Sequence, residues 1–333
     1  MNLRGRFLQR RAAVLLTLLG VAGTAPCLAQ PAWKPDKVVE FLVGSAPGGG
    51  NDKTARTLQR IWQDSKWLDN VVVVNKVGGG GAVAYTYVSQ RAGDGHYIVV
   101  ARKALLTNHI LGRSPLHYTE TTPLAIMANE PTALAVRADS PIRTVKDLVE
   151  RLKLDPQSIT TSVGSTRGST SHMLLVQVAK AGGADLRKLK VVTFGGSNDS
   201  ITNLLGGHIE LMGASVDAML AQYQAGTVRI LGVSTAQRSA ALPNVPTFRD
   251  QGYDLVMGNW AAVVGPRGLP PAQTAYWESL LERTANHPEW KGLVEANALE
   301  WDFRKAQATR ELMARDYELE RAMLVELGMV TKP

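Results

Sequence analysis

Short runs rich in β-branched residues alternate with helix-length stretches over the first hundred residues, and the alternation starts again after about residue 135. Residues 38–43, 71–74 and 97–101 read as strands. Segments 54–63 and 82–90 read as helices, and Asp94-Gly95 as a turn. In the second half, 144–152, 171–181, 199–205 and 216–224 predict helices, and 159–162, 189–193, 211–214 and 228–233 predict strands. Strands spaced by helices imply mostly parallel sheets covered on both faces, hence an α/β chain of two doubly wound lobes. From about residue 270, two further helices rich in Leu, Glu and Arg are expected. Ligands of such folds sit beyond the carboxyl ends of the strands.

The chain has 333 residues, 45% apolar and 20% charged, which suits two globular domains rather than a disordered chain. Its first thirty residues differ from the rest. Arg4, Arg6, Arg10 and Arg11 precede an apolar stretch, 12–25, and the small residues around Cys27 and Ala29 offer a cleavage site. This pattern predicts a signal peptide, 1–29, and export to the periplasm. Cys27 is a poor match to a lipoprotein site, and Gln9-Arg10-Arg11 only faintly resembles a twin-arginine signal. Cleavage would remove the only cysteine, excluding disulfide and thiol chemistry. It would also remove four positive charges and no negative one, lowering the net charge from +8 to +4. That mild excess, without a basic block interleaved with aromatics, does not point to nucleic acid.

Two glycine-rich turns each follow a predicted strand and open a helix: 43–52, with Gly48, Gly49 and Gly50 in a row, and 163–172, with Arg167, Ser169 and Thr170. Unpaired backbone N–H groups at a helix start hold anions. The hydroxyls of the second turn add donors, and Arg167 can clamp a carboxylate at two points. Each turn also has a purely structural reading. Asn51 or Asp52 can cap the first helix, and Ser169 or Thr170 the second. His172 reads as a packing or capping residue. Arg102 and Lys103 follow strand 97–101 directly, placing two cations at a ligand edge or, alternatively, in solvent on a loop. Gly195, Gly196 and Ser215 occupy corresponding strand ends in the second half.

Catalytic readings find little support. No phosphate loop or nucleophile elbow is present. The six histidines lack metal-ligand spacing, so neither a catalytic nor a metal site is assigned. Glu318, Glu320 and Arg321 read as a solvated helix face. The one rival motif is Gly79-Gly80-Gly81-Ala82-Val83-Ala84, which fits Gly-x-Gly-x-x-Ala after a strand, with Arg102 where NADP would want a cation. No hydride-site constellation accompanies it.

Taken in order, 46–50, 74–81, 94–97, 168–172, 204–207 and 242–247 (Leu-Pro-Asn-Val-Pro-Thr) resemble landmarks of the periplasmic solute-binding proteins of tripartite tricarboxylate transporters, also called Bug receptors. The resemblance covers essentially the whole mature chain. It implies two Rossmann-like lobes of the periplasmic binding-protein type II architecture with a hinge. Lobe 1 would comprise 30–133 plus 260–333, and lobe 2 134–259, with crossings near 131–137 and 254–264. It implies no enzymatic activity and no cofactor. The ligand would be a small organic carboxylate, and the partners the membrane permease subunits or, for a sensing role, a sensor kinase. Carried over, the carboxylate-holding turns point to Ala46, Gly48, Gly49, Asn51, Ser169 and Thr170. The sequence departs from the common pattern at Arg102-Lys103, where many relatives have small polar residues. It also departs in a longer second turn containing Arg167. These cations predict a di- or tricarboxylate, with citrate as one candidate.

Overall fold

A computed structural model describes residues 33–164, 166–239 and 241–330. The predicted signal peptide and its cleavage site lie outside the described residues. The chain runs β1 (Val39–Val43), α1 (Gly50–Asp64), β2 (Val71–Asn75), α2 (Ala82–Ser89), β3 (Tyr97–Ala101), α3 (Ala104–Ile110) and β4 (Thr121–Asn129). It continues with β5 (Thr132–Arg137), α4 (Val145–Leu154), β6 (Thr161–Ser162), α5 (Thr170–Ala181), β7 (Val191–Val192), α6 (Ser197–Leu205), β8 (Leu211–Ser215), α7 (Val216–Gln224) and β9 (Val228–Val233). It ends with β10 (Ala261–Pro266), α8 (Pro271–Ala285), α9 (Pro288–Ala296), β11 (Glu300–Lys305) and α10 (Ala306–Glu326).

The strands form two sheets, ordered β11-β4-β10-β3-β1-β2 and β7-β6-β8-β5-β9. The expectation of mostly parallel sheets is corrected, because both are mixed. β1 pairs parallel with β2 and β3, and β6 with β7 and β8. The pairs β10–β3, β10–β4, β11–β4, β5–β8 and β5–β9 are antiparallel. The reason is connectivity. β4 and β5 follow one another through Glu130-Pro131, one in each sheet, and β10 returns to the first sheet after Gly258. A strand entering or leaving a sheet this way has no crossover helix to make it parallel.

The parallel core strands nevertheless bring the ends of β1 and β3 to one edge, since Val43 pairs with both Asn75 and Val100. The turns after β1 and α2's preceding turn touch there. A Cβ on Gly44 would lie 2.5 Å from Gly81 Cα, so Gly44 must be glycine for the two backbones to pass, while Gly78 to Gly81 all take positive φ, which favours glycine. These positive φ angles account for Gly79 and Gly81 without a nucleotide.

Helix α1 follows the 3.6-residue period, burying Ala55, Leu58, Ile61 and Trp62. Trp62 stacks on Phe41 of β1 with ring centres 5.5 Å apart, and its Nε1 donates to Thr284 Oγ1 of α8 at 2.7 Å. Trp277 Nε1 donates to Gly95 O and Trp290 Nε1 to Met127 O, so buried tryptophans fasten the late helices α8 and α9 onto the first sheet. Trp62→Ala would remove the central ring of this stack and its bond to Thr284 Oγ1, which keeps only its bond to Leu280 O. The expected loss is about 3–5 kcal/mol of unfolding free energy in urea; a loss under about 1 kcal/mol would mean the late helices dock without it.

Helix α10 lies across β4 and α3, burying Leu312, Met313, Tyr317 and Leu324. At its end it reaches residues of the second sheet's helices. Glu326 Oε2 pairs with Lys180 Nζ of α5 at 2.6 Å. Between the sheets, Asn259 N donates to Glu130 O at 3.0 Å, and Pro131 bridges Gly258. No helix among the described residues is long and apolar enough to cross a membrane.

Candidate functional site

A cavity of about 440 Å3 opens between the ends of the first sheet's strands and the head of α5. Gly79, Gly80, Arg102 and Lys103 line one side, and Ser169 and Thr170 the other. Asn259 of the returning segment and Glu320 of α10 complete the wall. Of two larger cavities, about 530 and 600 Å3, the second shares Lys103 and Glu320 with this one, and neither is lined by a glycine-rich turn.

The second turn is built as expected for a helix start. Ser169 is the N-cap of α5, its Oγ accepting from His172 N at 3.3 Å and donating to Val163 O at 2.9 Å. The first N–H groups of the twelve-residue α5 have no partner within the helix, which leaves the positive end of its dipole at the cavity. His172 is buried, and its Nδ1 accepts from Gly168 N at 2.9 Å, a capping and packing role. Burial, aided by the charge of Arg167, lowers its pKa to about 4. Arg167 itself is exposed; its carbonyl accepts from Arg113 Nη2 at 3.1 Å, a bond that spans from the first sheet's side to the second turn.

The first turn is more self-contained. Gly48 N donates to Asp52 Oδ2 at 2.8 Å, and Gly49 N to Ala46 O at 3.1 Å. Burial works to raise the Asp52 pKa, but bonds from Arg56, Gly48 N–H and Asn75 outweigh it and hold the carboxyl below its usual range. A carboxylate of the chain therefore already sits at this helix start. Ala46, Gly48 and Gly49 do not line the cavity. Asn51 reaches it indirectly, its Oδ1 accepting from Arg102 Nε at 2.7 Å. The hydroxyl of Ser45, buried in the same turn, has no hydrogen-bond partner among the described residues. Gly195, Gly196 and Ser215 also lie off the cavity, Gly196 and Ser215 as the N-caps of α6 and α7.

Arg102 and Lys103 are neither solvated nor unpaired. Arg102 Nη1 donates to Asn259 O at 3.0 Å and lies 3.5 Å from Glu130 Oε2. Lys103 Nζ sits 3.2 Å from Asp316 Oδ2 and 3.5 Å from Glu320 Oε1, with Lys103 only 8% exposed. Asp316 Oδ2 also accepts from Trp260 Nε1 at 3.1 Å. The expectation of a solvated face at Glu318, Glu320 and Arg321 is corrected at Glu320, which is 2% exposed. Burial pushes its carboxyl pKa up, and nearby Asp316 adds to this, against the pull of Lys103. Its Oε2 is buried with no hydrogen-bond partner among the described residues.

Sequence reasoning thus anticipated Arg102, Lys103, Ser169 and Thr170 at one cavity. It did not anticipate Asn108, whose Nδ2 holds the turn by donating to Gly79 O at 2.9 Å, nor Asn259 and Glu320. One signal was available: Asp316 and Glu320, four apart, interrupt the apolar stripe Leu312, Met313, Tyr317, Leu324. Among the described residues, no group of three His, Cys, Asp or Glu side chains can hold a metal ion.

The model of the tripartite tricarboxylate transporter family receptor matches residues 55–329. Protein BugT of Bordetella pertussis is 27% identical over 295 residues, 87% of each chain. A TctC solute-binding protein from Polaromonas superposes with a TM-score of 0.77 at 25% identity, covering 89% of this chain and all of that one. MatC of Rhodopseudomonas palustris, solved with bound malate, shares the fold with a TM-score of 0.71 at 19% identity, over 87% of this chain and 100% of that one.

Proposed function

Because the chain belongs to the tripartite tricarboxylate transporter receptor family, whose members are solute-binding receptors and not enzymes, we propose that it captures a small organic carboxylate in the periplasm and delivers it to the permease subunits of such a transporter. The two lobes, 30–133 plus 260–333 and 134–259, close on the anion about the paired crossings at Glu130-Pro131 and Gly258-Asn259. The observation that carries this reading is the head of α5, capped by Ser169, which directs helix-start donors into a cavity walled on the far side by Gly79, Gly80 and Arg102. Fixed donors in a closed, water-poor cleft bind an anion without reorganising. MatC, of the same fold, holds malate. Positive φ accounts for Gly79 and Gly81, and the family is one of receptors, which removes the ground for an NADP-dependent reaction.

The preference for a di- or tricarboxylate such as citrate rests on the three cations Arg102, Lys103 and Arg167. Carboxylates of the chain counter the first two, and Arg167 does not line the cavity. A thermal-shift panel decides it. Protein refolded to strip carried ligand is expected to melt higher with acetate, malate, adipate or citrate, by an amount set by affinity. A ligand a hundredfold above its Kd adds about 2.7 kcal/mol. A shift with NADP alone, and none with any carboxylate, would overturn the proposal.

A further inference from the structure

Three cations line the cavity, and the protein neutralises two of them. Arg102 faces Glu130, and Lys103 faces Asp316 and Glu320. The third, Arg113, is exposed and has no carboxylate partner among the described residues. It lines neither of the two larger cavities. Its place is set locally. Helix α3 ends at Ile110, and Gly112 turns the chain with a φ of 67°. Gly112 N donates to His109 O at 2.9 Å and Arg113 N to Asn108 O at 2.8 Å, the paired bonds of a glycine-terminated helix. Asn108 in turn holds Gly79 O, so the Arg113 backbone is tied to the cavity wall.

From there the side chain reaches the second turn, where Nη2 donates to Arg167 O at 3.1 Å. Leu111 packs beside it, since a Cβ on Gly168 would lie 2.9 Å from Leu111 Cδ1. Arg167 shortly precedes Ser169, the cap of α5, so the guanidinium stands near the unpaired N–H groups and positive end of that helix. A cation without a counter-charge beside the positive end of a helix is repulsive, and a bound anion reverses the sign of that interaction.

We propose that Arg113 is the counter-charge of the carboxylate held at the head of α5, and so the residue that makes the cavity select an anion. This rests on the carboxylate-capture reading above. One guanidinium N–H stays on Arg167 O, and the others meet the ligand carboxylate from the α3 side while the α5 donors meet it from theirs. Such charge-assisted bonds are stronger than neutral ones. Since α3 belongs to the first proposed lobe and α5 to the second, the anion is gripped by a group from each, which couples its charge to closure. Arg113 does not read the rest of the ligand, so every carboxylate gains from it alike.

The test is isothermal titration of the parent, Arg113→Gln and Arg113→Lys with butyrate, succinate, adipate and citrate, and with the monoamides of succinate and adipate, at low and high salt. Glutamine keeps a donor and removes the charge; lysine keeps the charge. Arg113→Gln is expected to lose about tenfold or more in affinity for each carboxylate the parent binds, by a similar factor for a diacid and its monoamide. Arg113→Lys is expected to recover most of that affinity, and salt to weaken the parent more than Arg113→Gln. A merely structural tie between α3 and the second turn would be broken by lysine as much as by glutamine, with no difference in salt dependence. That result would overturn the proposal, as would unchanged affinity in Arg113→Gln or a loss confined to ligands with a second carboxylate; each leaves carboxylate capture intact. If the parent binds no carboxylate of the panel, the capture reading falls and this proposal falls with it.

Discussion

Replacing Lys103 with methionine is expected to destabilise the protein by about 3–5 kcal/mol, because it leaves the buried Glu320 carboxylate without a cation, four residues from Asp316, whose remaining charge partner is Arg315 at 3.6 Å. The methionine fills most of the same volume, so a cavity does not account for the loss. The effect has a distinctive pH signature. Burial already raises the Glu320 pKa against the pull of Lys103. Without that pull it rises further, and the native protein can then take up a proton that the unfolded chain does not. Stability of the Lys103→Met variant relative to the parent should therefore recover as pH falls from neutrality toward the ordinary glutamate range near 4.3. A second substitution, Glu320→Leu, should restore much of the lost stability at neutral pH, since an apolar pair replaces a broken ionic one. Urea unfolding of the parent, both single variants and the double variant measures the coupling directly. A single-variant loss under about 1 kcal/mol, independent of pH, would mean that the cluster is solvated and open in solution.

Acid should loosen the second turn through His172. In the folded protein this imidazole is buried, accepts from Gly168 N through Nδ1, and titrates at about 4. In the unfolded chain it titrates near 6.5. Between these values the unfolded state holds more protons, so stability contributed by neutral His172 is complete above 6.5 and is lost as pH falls toward 4. The loss approaches ~3 kcal/mol at the lower limit. Asparagine at this position can present an oxygen to Gly168 N but does not titrate. The His172→Asn variant should therefore show a flatter stability profile between pH 6.5 and 4 than the parent, by roughly that amount. Identical slopes in denaturant titrations at pH 7, 6, 5 and 4.5 would show that other groups set the acid sensitivity. Because Gly168 belongs to the cavity wall, ligand affinity is expected to weaken over the same window.

Local structure was legible wherever a residue's neighbours in sequence are also its neighbours in space. β3, α7 and β9 match their expected bounds, and the start of α5 falls at the serine that caps it. The strands that went unread share a different property. β4 and β10 are almost wholly buried, so they show no alternation, and Pro123 within β4 argues against a strand. β5, likewise buried until its last residue, was read as part of a crossing. β11, Glu-Trp-Asp-Phe-Arg-Lys, is an edge strand whose polar residues read as loop. These are the strands that make the sheets mixed, which is why alternation alone overstated the parallel character.

The site divides along the same line. Residue types and spacing were enough to place Arg102 and Lys103 at a strand end and Ser169 at a helix start, because each position follows from backbone geometry over a few residues. What the cations do there depends on groups far along the chain. Asn259 and Glu130 engage Arg102, and Asp316 and Glu320 engage Lys103, the last pair separated by 217 residues. In sequence, a lysine beyond a strand and a glutamate on a late helix are both unremarkable charges. Folding removes water from both at once, and in that setting a charge must find a counter-charge or give up its proton. Hydrophobic period and turn chemistry therefore determined from sequence alone that this chain would form strands, helices and donor-bearing turns. Only the packing of α10 across the first sheet decided which of its charges remain available to a ligand, because burial and pairing are properties of the assembled core rather than of any segment within it.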